Sequence, residues 1–269
     1  MMIIDAHAHI STTDYGCVEI YLAQLQDSGV DQGLVVPGGM MDVRKMTDYV
    51  IGRAKPENLE PNNPYVQECC SRYAEKIHGF ICLNPHDATA PEQLERAFNE
   101  GFCGLKLSPM SHEFSFAAKV VAELAAVCGE AGFPLYTHVV FSPGASTARL
   151  VALARQFPKT NFILGHMGFG PADQDALAAA ATLDNFFLET STGNFLHIGE
   201  VVRKAGASKL IFGSEFPLSH PGVELQKILW LKLRDSDRDR ILGENIVELL
   251  RLTGGGERDE LSEQDLIIT

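Results

Sequence analysis

The chain has 269 residues, of which 45% are hydrophobic, and its formal net charge is −13 at pH 7. This length and composition suit one large α/β domain of about 250 residues. The acidic balance argues against nucleic acid or an anionic membrane surface as a partner, because both attract basic proteins. No apolar run reaches the roughly 18 residues that a membrane-spanning helix needs.

The first predicted element is a buried strand that carries two histidines. The apolar start MMII leads into Asp5-Ala6-His7-Ala8-His9. Side chains alternate along a strand, so we expect Asp5, His7 and His9 to share one face. His7 and His9 can then hold one divalent ion. A pair of strand histidines without a ligand is the alternative at this point.

Short apolar strands alternate with amphipathic stretches along the rest of the chain. Eight strands are predicted, at Ile3–His7, Gly33–Pro37, Gly79–Asn84, Gly104–Leu107, Pro134–His138, Phe162–Gly165, Phe186–Glu189 and Leu210–Gly213. Helical spacing recurs from Phe116 to Cys128 and from Leu242 to Leu250. Eight strands, each followed by a helix, predict an α/β fold, a single TIM-type (β/α)8 barrel. We expect this barrel to span residues 1–253 and a flexible tail to span 254–269.

Further polar residues end three of the predicted strands. His138 closes the fifth strand, His166 the sixth and Glu215 the eighth. Barrel enzymes keep their chemistry at the carboxyl ends of the strands. Four histidines and one carboxylate would therefore meet at the barrel mouth, which predicts a metal site. The long segment Gly38–Pro64, rich in turn residues, is expected to form an elaborated loop over this mouth.

The chain resembles the amidohydrolase superfamily, in its amidohydrolase-2 branch of aminocarboxymuconate semialdehyde decarboxylase-like proteins. The resemblance runs over nearly the whole chain, and its motifs are Asp5-x-His7-x-His9, Pro134–His138, Gly165-His166-Met167-Gly168 and Phe212–Pro217. It implies one divalent metal ion, most often zinc, held by the paired histidines, the fifth-strand histidine and the eighth-strand carboxylate. In this chain those ligands are His7, His9, His138 and Glu215. The sixth-strand histidine, His166, would stand beside the bound water or the substrate.

One position departs from the family pattern. The family has an aspartate at the end of the eighth strand, where this chain has Glu215. The extra methylene extends the reach by roughly 1.5 Å, in a kind of site where ligand distances hold within about 0.2 Å. Glu215 is therefore expected to be a metal ligand, a general base or both, and a barrel that has lost its activity is a further alternative.

The constellation predicts a metal-dependent hydrolase of the amidohydrolase-2 type. A divalent ion with three protein ligands lowers the pKa of a bound water to about 7. Glu215 is expected to take the proton of that water, and His166 to stabilise the developing oxyanion. The expected substrate is a small-molecule amide, ester or lactone. Two alternatives stay open: a metal-dependent decarboxylase of a small carboxylic acid, and a catalytically degenerate barrel that serves as a binding subunit.

Three other residues are candidates for substrate binding. Lys106 lies in the fourth strand, where it is expected to bind an anion or to be structural; some amidohydrolases carry a carbamylated lysine there that bridges two metals. His86 and His112 follow the third and fourth strands on the same face of the barrel. The scattered cysteines and the start of the sequence, which lacks the features of a secretory signal, indicate a cytoplasmic protein. A homodimer is compatible with the sequence.

Overall fold

The computed structural model describes residues 2–56 and 58–252, in which parallel strands alternate with helices. The strands are β1 Ile4–Ile10, β2 Gln32–Pro37, β3 Ile77–Gly79, β4 Ile81–Cys82, β5 Leu105–Leu107, β6 Leu135–Thr137, β7 Phe162–Leu164, β8 Phe186–Glu189 and β9 Leu210–Ile211. The helices are α1 Val18–Ser28, α2 Met46–Val50, α3 Asn63–Arg72, α4 Ala90–Asn99, α5 Pro109–His112, α6 Lys119–Ala131, α7 Thr147–Gln156, α8 Gln174–Thr182, α9 Phe195–Ala205, α10 Pro221–Trp230, α11 Asp235–Asp239 and α12 Asn245–Leu250. The predicted tail at 254–269 and the predicted domain end at residue 253 lie outside the described residues.

The strands close into a barrel. They pair in parallel in the order β1-β2-β3 and β4 to β9. Phe80 separates β3 from β4, and its N–H donates to the Val35 carbonyl of β2 at 3.0 Å, so β3 and β4 are two halves of one barrel strand. The ring closes where the Ala6 N–H of β1 donates to Phe212 O at 2.9 Å. The predicted (β/α)8 barrel is confirmed.

The predicted elements differ from the structure mainly at their ends. The third barrel strand was expected at Gly79–Asn84 but runs from Ile77 to Cys82 with its break at Phe80. The helical spacing near Leu242–Leu250 corresponds to α12, which follows a π-helical turn at 240–244. No helix in the described ranges combines the length and the apolar character needed to cross a membrane.

One expectation about β1 is wrong, because Asp5 does not share a face with the paired histidines. The pairing of β1 with β2 shifts in register between Asp5 and Ala8. Such an irregularity reverses the alternation of inward and outward side chains. The Asp5 carboxylate instead accepts a hydrogen bond from the Tyr21 hydroxyl of α1 at 2.8 Å and from the Ser214 N–H at 2.7 Å. Asp5 thus joins β1 to α1 and to the segment after β9.

The apolar core has two layers. The larger layer lies between the strands and the surrounding helices. The smaller one fills the barrel, where Ile4, Leu34 and Phe80 are fully buried. Ile246 and Leu249 of α12 belong to this inner cluster. Burial of each such side chain stabilises the fold by about 1.5–3 kcal/mol. The apolar side chains of this inner cluster therefore fill one part of the barrel. The polar residues lie at the carboxyl ends of the strands.

Candidate metal centre

Three histidines and a carboxylate meet at the carboxyl ends of the barrel strands. His7 and His9 lie in β1, and Glu215 follows β9. Glu215 Oε2 is 2.7 Å from His7 Nδ1, and Glu215 Oε1 is 3.5 Å from His9 Nε2. His166, after β7, brings its Nε2 to 3.8 Å from Glu215 Oε2. The structure thus brings these four predicted site residues together.

The backbone at two of these residues is held in an unusual conformation. The φ angle is 62° at Glu215 and 61° at His166. This left-handed region costs a non-glycine residue about 1–3 kcal/mol and persists where the surroundings enforce it. The Glu215 N–H donates to the carbonyl of His7 at 2.7 Å, and the His166 N–H donates to Glu189 Oε2 at 3.3 Å. Both segments are therefore tied to neighbouring strands at the residue that carries the functional side chain.

His7, His9 and Glu215 fit a divalent metal ion. Their ligand atoms lie within 4.8 Å of one another. Glu215 Oε2 is buried, and although it is close to His7 Nδ1, it has no hydrogen-bond partner of acceptable geometry in the described part of the chain. A buried polar atom without a partner is unfavourable, and a cation would satisfy it. Imidazole nitrogen and carboxylate oxygen are ligands that zinc and related ions accept.

A second carboxylate, Glu189 at the end of β8, lies on the other side of His7. Ligand atoms of Glu189, His7 and His166 also lie within 4.8 Å of one another. The Glu189 oxygens, however, accept from the Ser191 N–H at 2.5 Å, the Ser191 hydroxyl at 2.8 Å, the Tyr136 hydroxyl at 2.8 Å and the His166 N–H at 3.3 Å. A carboxylate offers about four lone-pair positions. Three of these bonds fall on Oε2 and one on Oε1, so both Glu189 oxygens already accept hydrogen bonds, whereas Glu215 Oε2 accepts none from the described residues.

His138, the fourth ligand that the resemblance implies, lies just beyond the end of β6. Its ring centroid is 6.1 Å from that of His166. Among the described residues, His138 belongs to neither group whose ligand atoms lie within 4.8 Å of one another. Its role as a metal ligand therefore stays a prediction.

Lys106 in β5 points into the same centre. Its side chain is buried, and its Nζ lies 3.1 Å from His7 Nε2 and 4.1 Å from the centroid of the Tyr136 ring. No ion pair joins Lys106 to a carboxylate of the described residues. Burial lowers the pKa of Lys106 to about 8. A buried ammonium without a paired carboxylate is a candidate anion site.

Burial also sets the protonation of the histidines. It lowers the pKa of His9 to about 3 and lowers the pKa of His138 and His166 as well. Burial alone would raise the pKa of Glu215, but the facing imidazoles hold it well below its usual range. Neutral imidazoles and an ionised carboxylate are the protonation states that metal ligation requires. His7 differs from the other three histidines, because burial would lower its pKa but the facing Glu215 carboxylate raises it.

The structure gives His86 and His112 contacts with the backbone. His86 is exposed, and its Nε2 bonds the His112 carbonyl at 2.8 Å. His112 is buried at the end of α5, and its Nε2 bonds the carbonyl of Leu59 at 3.1 Å. Leu59 belongs to the segment Gly38–Pro64, so this pair attaches that segment to the loop after β5. Substrate contact by either histidine stays a prediction.

Three residues of the centre escaped prediction from the sequence. Tyr136, Glu189 and Ser191 form the buried hydrogen-bond network beside His7. Glu189 ends the seventh strand predicted from the sequence, which is β8 of the structure. A search for carboxylates at strand ends identified Glu215 after the eighth predicted strand, and the same search would have identified Glu189. Tyr136 and Ser191 carry no comparable signal, because a tyrosine within a strand and a serine after one are both common.

Gly213 leaves the space that the Glu189 carboxylate occupies. A Cβ at Gly213 would overlap Glu189 Oε1 and would come within 3.0 Å of the His7 Cβ. We expect Gly213→Ala to lower the free energy of unfolding by about 1–3 kcal/mol, which is the usual effect of overpacking. Urea denaturation measures this loss. Gly199→Ala is the control, because a Cβ there meets only side-chain atoms of Leu231 and Arg203, at 3.3 and 3.4 Å. Equal losses in both variants would contradict the expectation.

Comparison with solved structures finds the same barrel in several enzymes. The 2,6-dihydroxybenzoate decarboxylase from Rhizobium has a TM-score of 0.71 and 17% identity, over 94% of this chain and 100% of that chain. A dihydroxybenzoic acid decarboxylase from Polaromonas sp. JS666, with bound manganese and the inhibitor 2-nitroresorcinol, has a TM-score of 0.69 and 14% identity, over 93% and 97%. A probable 2-pyrone-4,6-dicarboxylic acid hydrolase from Acinetobacter baumannii, with bound citric acid, has a TM-score of 0.67 and 16% identity, over 93% and 100%.

At these identities the likeness to solved structures shows the fold. No curated protein matches the chain. A family model described as Amidohydrolase matches residues 4–252, which is almost the whole described barrel. The motifs that suggested the resemblance therefore lie within one continuous family match, and the chain belongs to the amidohydrolase family, in its amidohydrolase-2 branch.

Proposed function

We propose that this protein is a divalent-metal-dependent enzyme that removes carbon dioxide from a small carboxylic acid. The observation that carries the proposal is the cluster of His7, His9 and Glu215, with an unbonded Glu215 oxygen, at the carboxyl ends of the strands. Two of the relatives described above are decarboxylases of hydroxylated benzoates. Zinc was expected from the imidazole-rich site, and the Polaromonas relative contains manganese. Both ions are candidates.

Different side chains of the centre are assigned to substrate binding and to proton transfer. A divalent ion, when bound, supplies a Lewis acid for a substrate oxygen. We assign to Lys106 the charge that holds a substrate carboxylate, because its ammonium is buried beside His7 without an ion-pair partner. Loss of carbon dioxide leaves an electron pair on carbon that needs a proton. We assign delivery of that proton to His166, which as a neutral imidazole gives a proton from one ring nitrogen and takes one from water at the other. Its side chain is 26% exposed and faces Glu215.

Hydrolysis of a small lactone or other carbonyl compound is the second candidate, and it is the reaction that the sequence favoured. The open Glu215 Oε2 supports it, since a general base needs a free lone pair to take a proton from water. A relative with the same fold is a probable pyrone dicarboxylic acid hydrolase.

One assay separates the candidates. Protein loaded with zinc or manganese is incubated with 2,6-dihydroxybenzoate and with 2-pyrone-4,6-dicarboxylate. Release of carbon dioxide, measured by mass spectrometry, supports decarboxylation. A ring-opened product that contains oxygen from labelled water supports hydrolysis. A protein that binds metal and turns over none of these compounds or their close analogues would favour the degenerate barrel and contradict the proposal.

Replacement of Lys106 tests its role in binding. We expect Lys106→Met to raise KM for a carboxylate substrate about 10–100-fold, which corresponds to the loss of one charge-assisted hydrogen bond. Steady-state kinetics measure this change. Lys209→Met is the matched control, because the Lys209 Nζ also lies near an aromatic ring, 4.9 Å from the Phe187 centroid, but bonds backbone carbonyls outside the centre. An unchanged KM in Lys106→Met would remove this residue from substrate binding.

A further inference from the structure

The donor and the acceptor can be assigned for each hydrogen bond that Tyr136 makes beside His7. The Tyr136 oxygen lies 2.7 Å from His7 Nδ1 and 2.8 Å from Glu189 Oε2. A tyrosine hydroxyl has one proton and an ionised carboxylate can only accept one. Tyr136 therefore donates to Glu189 and accepts from the N–H at His7 Nδ1. This arrangement makes Nδ1 the protonated nitrogen of His7 and leaves the lone pair on Nε2. The Lys106 Nζ lies 3.1 Å from Nε2, so an ion that binds His7 there must displace this ammonium.

We propose that Glu189 and Tyr136 are positioning residues of the metal centre, which hold His7 in one tautomer and one orientation. The inference rests on the proposed metal dependence. Carboxylates that fix metal-ligating histidines in this way keep the ring aligned and raise its basicity. Glu189 acts through Tyr136, and both of its oxygens already accept hydrogen bonds, so we assign it a supporting role and not that of a ligand.

The same carboxylate also supports His166. The His166 N–H donates to Glu189 Oε2 at 3.3 Å, and the Ser191 hydroxyl, which donates to Glu189, lies 3.1 Å from His166 Nδ1. One fully buried carboxylate thus connects the histidine of β1 with the histidine that follows β7. A Cβ at Gly165 would overlap the Tyr136 hydroxyl, so the chain leaves space for this network on two sides.

The chain offers a matched control for the Tyr136 hydroxyl. Tyr21 is also buried, and its hydroxyl donates to the carboxylate of Asp5 at 2.8 Å, the same length as the bond from Tyr136 to Glu189. Phenylalanine at either position keeps the ring and removes one hydrogen bond to a buried carboxylate. A purely structural role of the hydroxyl would give both variants the same phenotype.

The experiment measures Co²⁺ binding to the full chain. Competition with a chelator gives the affinity, and the visible absorption spectrum reports the ligand geometry. We expect Tyr136→Phe to bind Co²⁺ about 10–100-fold more weakly, with an altered spectrum. Tyr21→Phe should lower the melting temperature while Co²⁺ affinity and spectrum stay as in the wild type. Ser191→Ala, which removes one donor to Glu189, is the second variant in case Tyr136→Phe does not fold, and it should weaken Co²⁺ binding in the same direction.

Two results would overturn the proposal, and they differ. The first result is a folded Tyr136→Phe protein that binds Co²⁺ with the affinity and spectrum of the wild type. If Tyr136→Phe does not fold, the same result in Ser191→Ala takes its place. Either outcome would limit the network to a structural role and leave the proposed function intact. A wild-type protein that binds no Co²⁺, Zn²⁺ or Mn²⁺ would remove the proposed function itself, and the positioning role with it.

Discussion

Replacing His7 and His9 together with alanine is expected to abolish metal binding and turnover. His7 and His9 form a group with Glu215, in which the ligand atoms lie within 4.8 Å of one another. The pair therefore supplies both imidazole ligands of this group, and Glu215 supplies the oxygen that has no hydrogen-bond partner in the described part of the chain. A single carboxylate cannot hold an ion that requires about four ligands. Elemental analysis should find about one divalent ion per wild-type chain, since one such group in the described ranges has a carboxylate oxygen without a hydrogen-bond partner, and none in the double variant.

A buried histidine outside the centre provides the control for this loss. His197 lies in α9, where its Nδ1 is 3.3 Å from Glu200 Oε2. His197→Ala should keep the metal content of the wild type, although it removes a buried imidazole of similar size. Equal metal content in the wild type and in the double variant His7→Ala with His9→Ala would contradict the assignment of the centre.

The second large effect is expected at Glu215. Glu215→Gln keeps the shape of the side chain but removes its charge and its ability to take a proton. We expect turnover to fall by roughly 10²–10⁴-fold even with metal in excess, which is the range for loss of an acid–base group. We also expect weaker metal binding, because the two Glu215 oxygens lie 2.7 and 3.5 Å from nitrogens of His7 and His9. Kinetics at several metal concentrations separate the two losses.

Glu215→Asp restores the family residue and tests whether the centre is built around the longer side chain. Shortening the side chain withdraws the carboxylate from the imidazoles that it now reaches, so turnover should fall rather than rise. Assay of both variants with the same substrate provides the comparison. Full activity in Glu215→Gln would rule out acid–base chemistry by this residue. Turnover above that of the wild type in Glu215→Asp would show that the centre works better with the aspartate of the family.

Local pattern was enough to predict the barrel and part of the centre. Each parallel strand is apolar because it is covered on both sides, so strands could be counted from apolar runs alone. The carboxyl end of every strand in a barrel faces the same mouth. His7, His9, His166 and Glu215 could therefore be grouped although they are far apart in the chain, and the structure brings these four together.

The position of Asp5 shows where that reasoning ended. Strict alternation predicted that Asp5 would face the same way as the histidines after it. The register of β1 shifts after Asp5, and the carboxylate binds Tyr21 and Ser214 instead. A bulge depends on the pairing of one strand with its neighbour, and short apolar segments such as IDAHAHI do not encode that pairing by themselves.

The sequence by itself determined the strand count, the face of the barrel that holds the chemistry and the identity of its histidines, because these follow from local periodicity and from the end of each strand. Only the tertiary structure decided that Glu215 has an open oxygen whereas Glu189 has none. Whether a carboxylate can bind an ion depends on the donors around it, and here those donors come from three different strands and the turns that follow them. Such a network exists only once the barrel has closed.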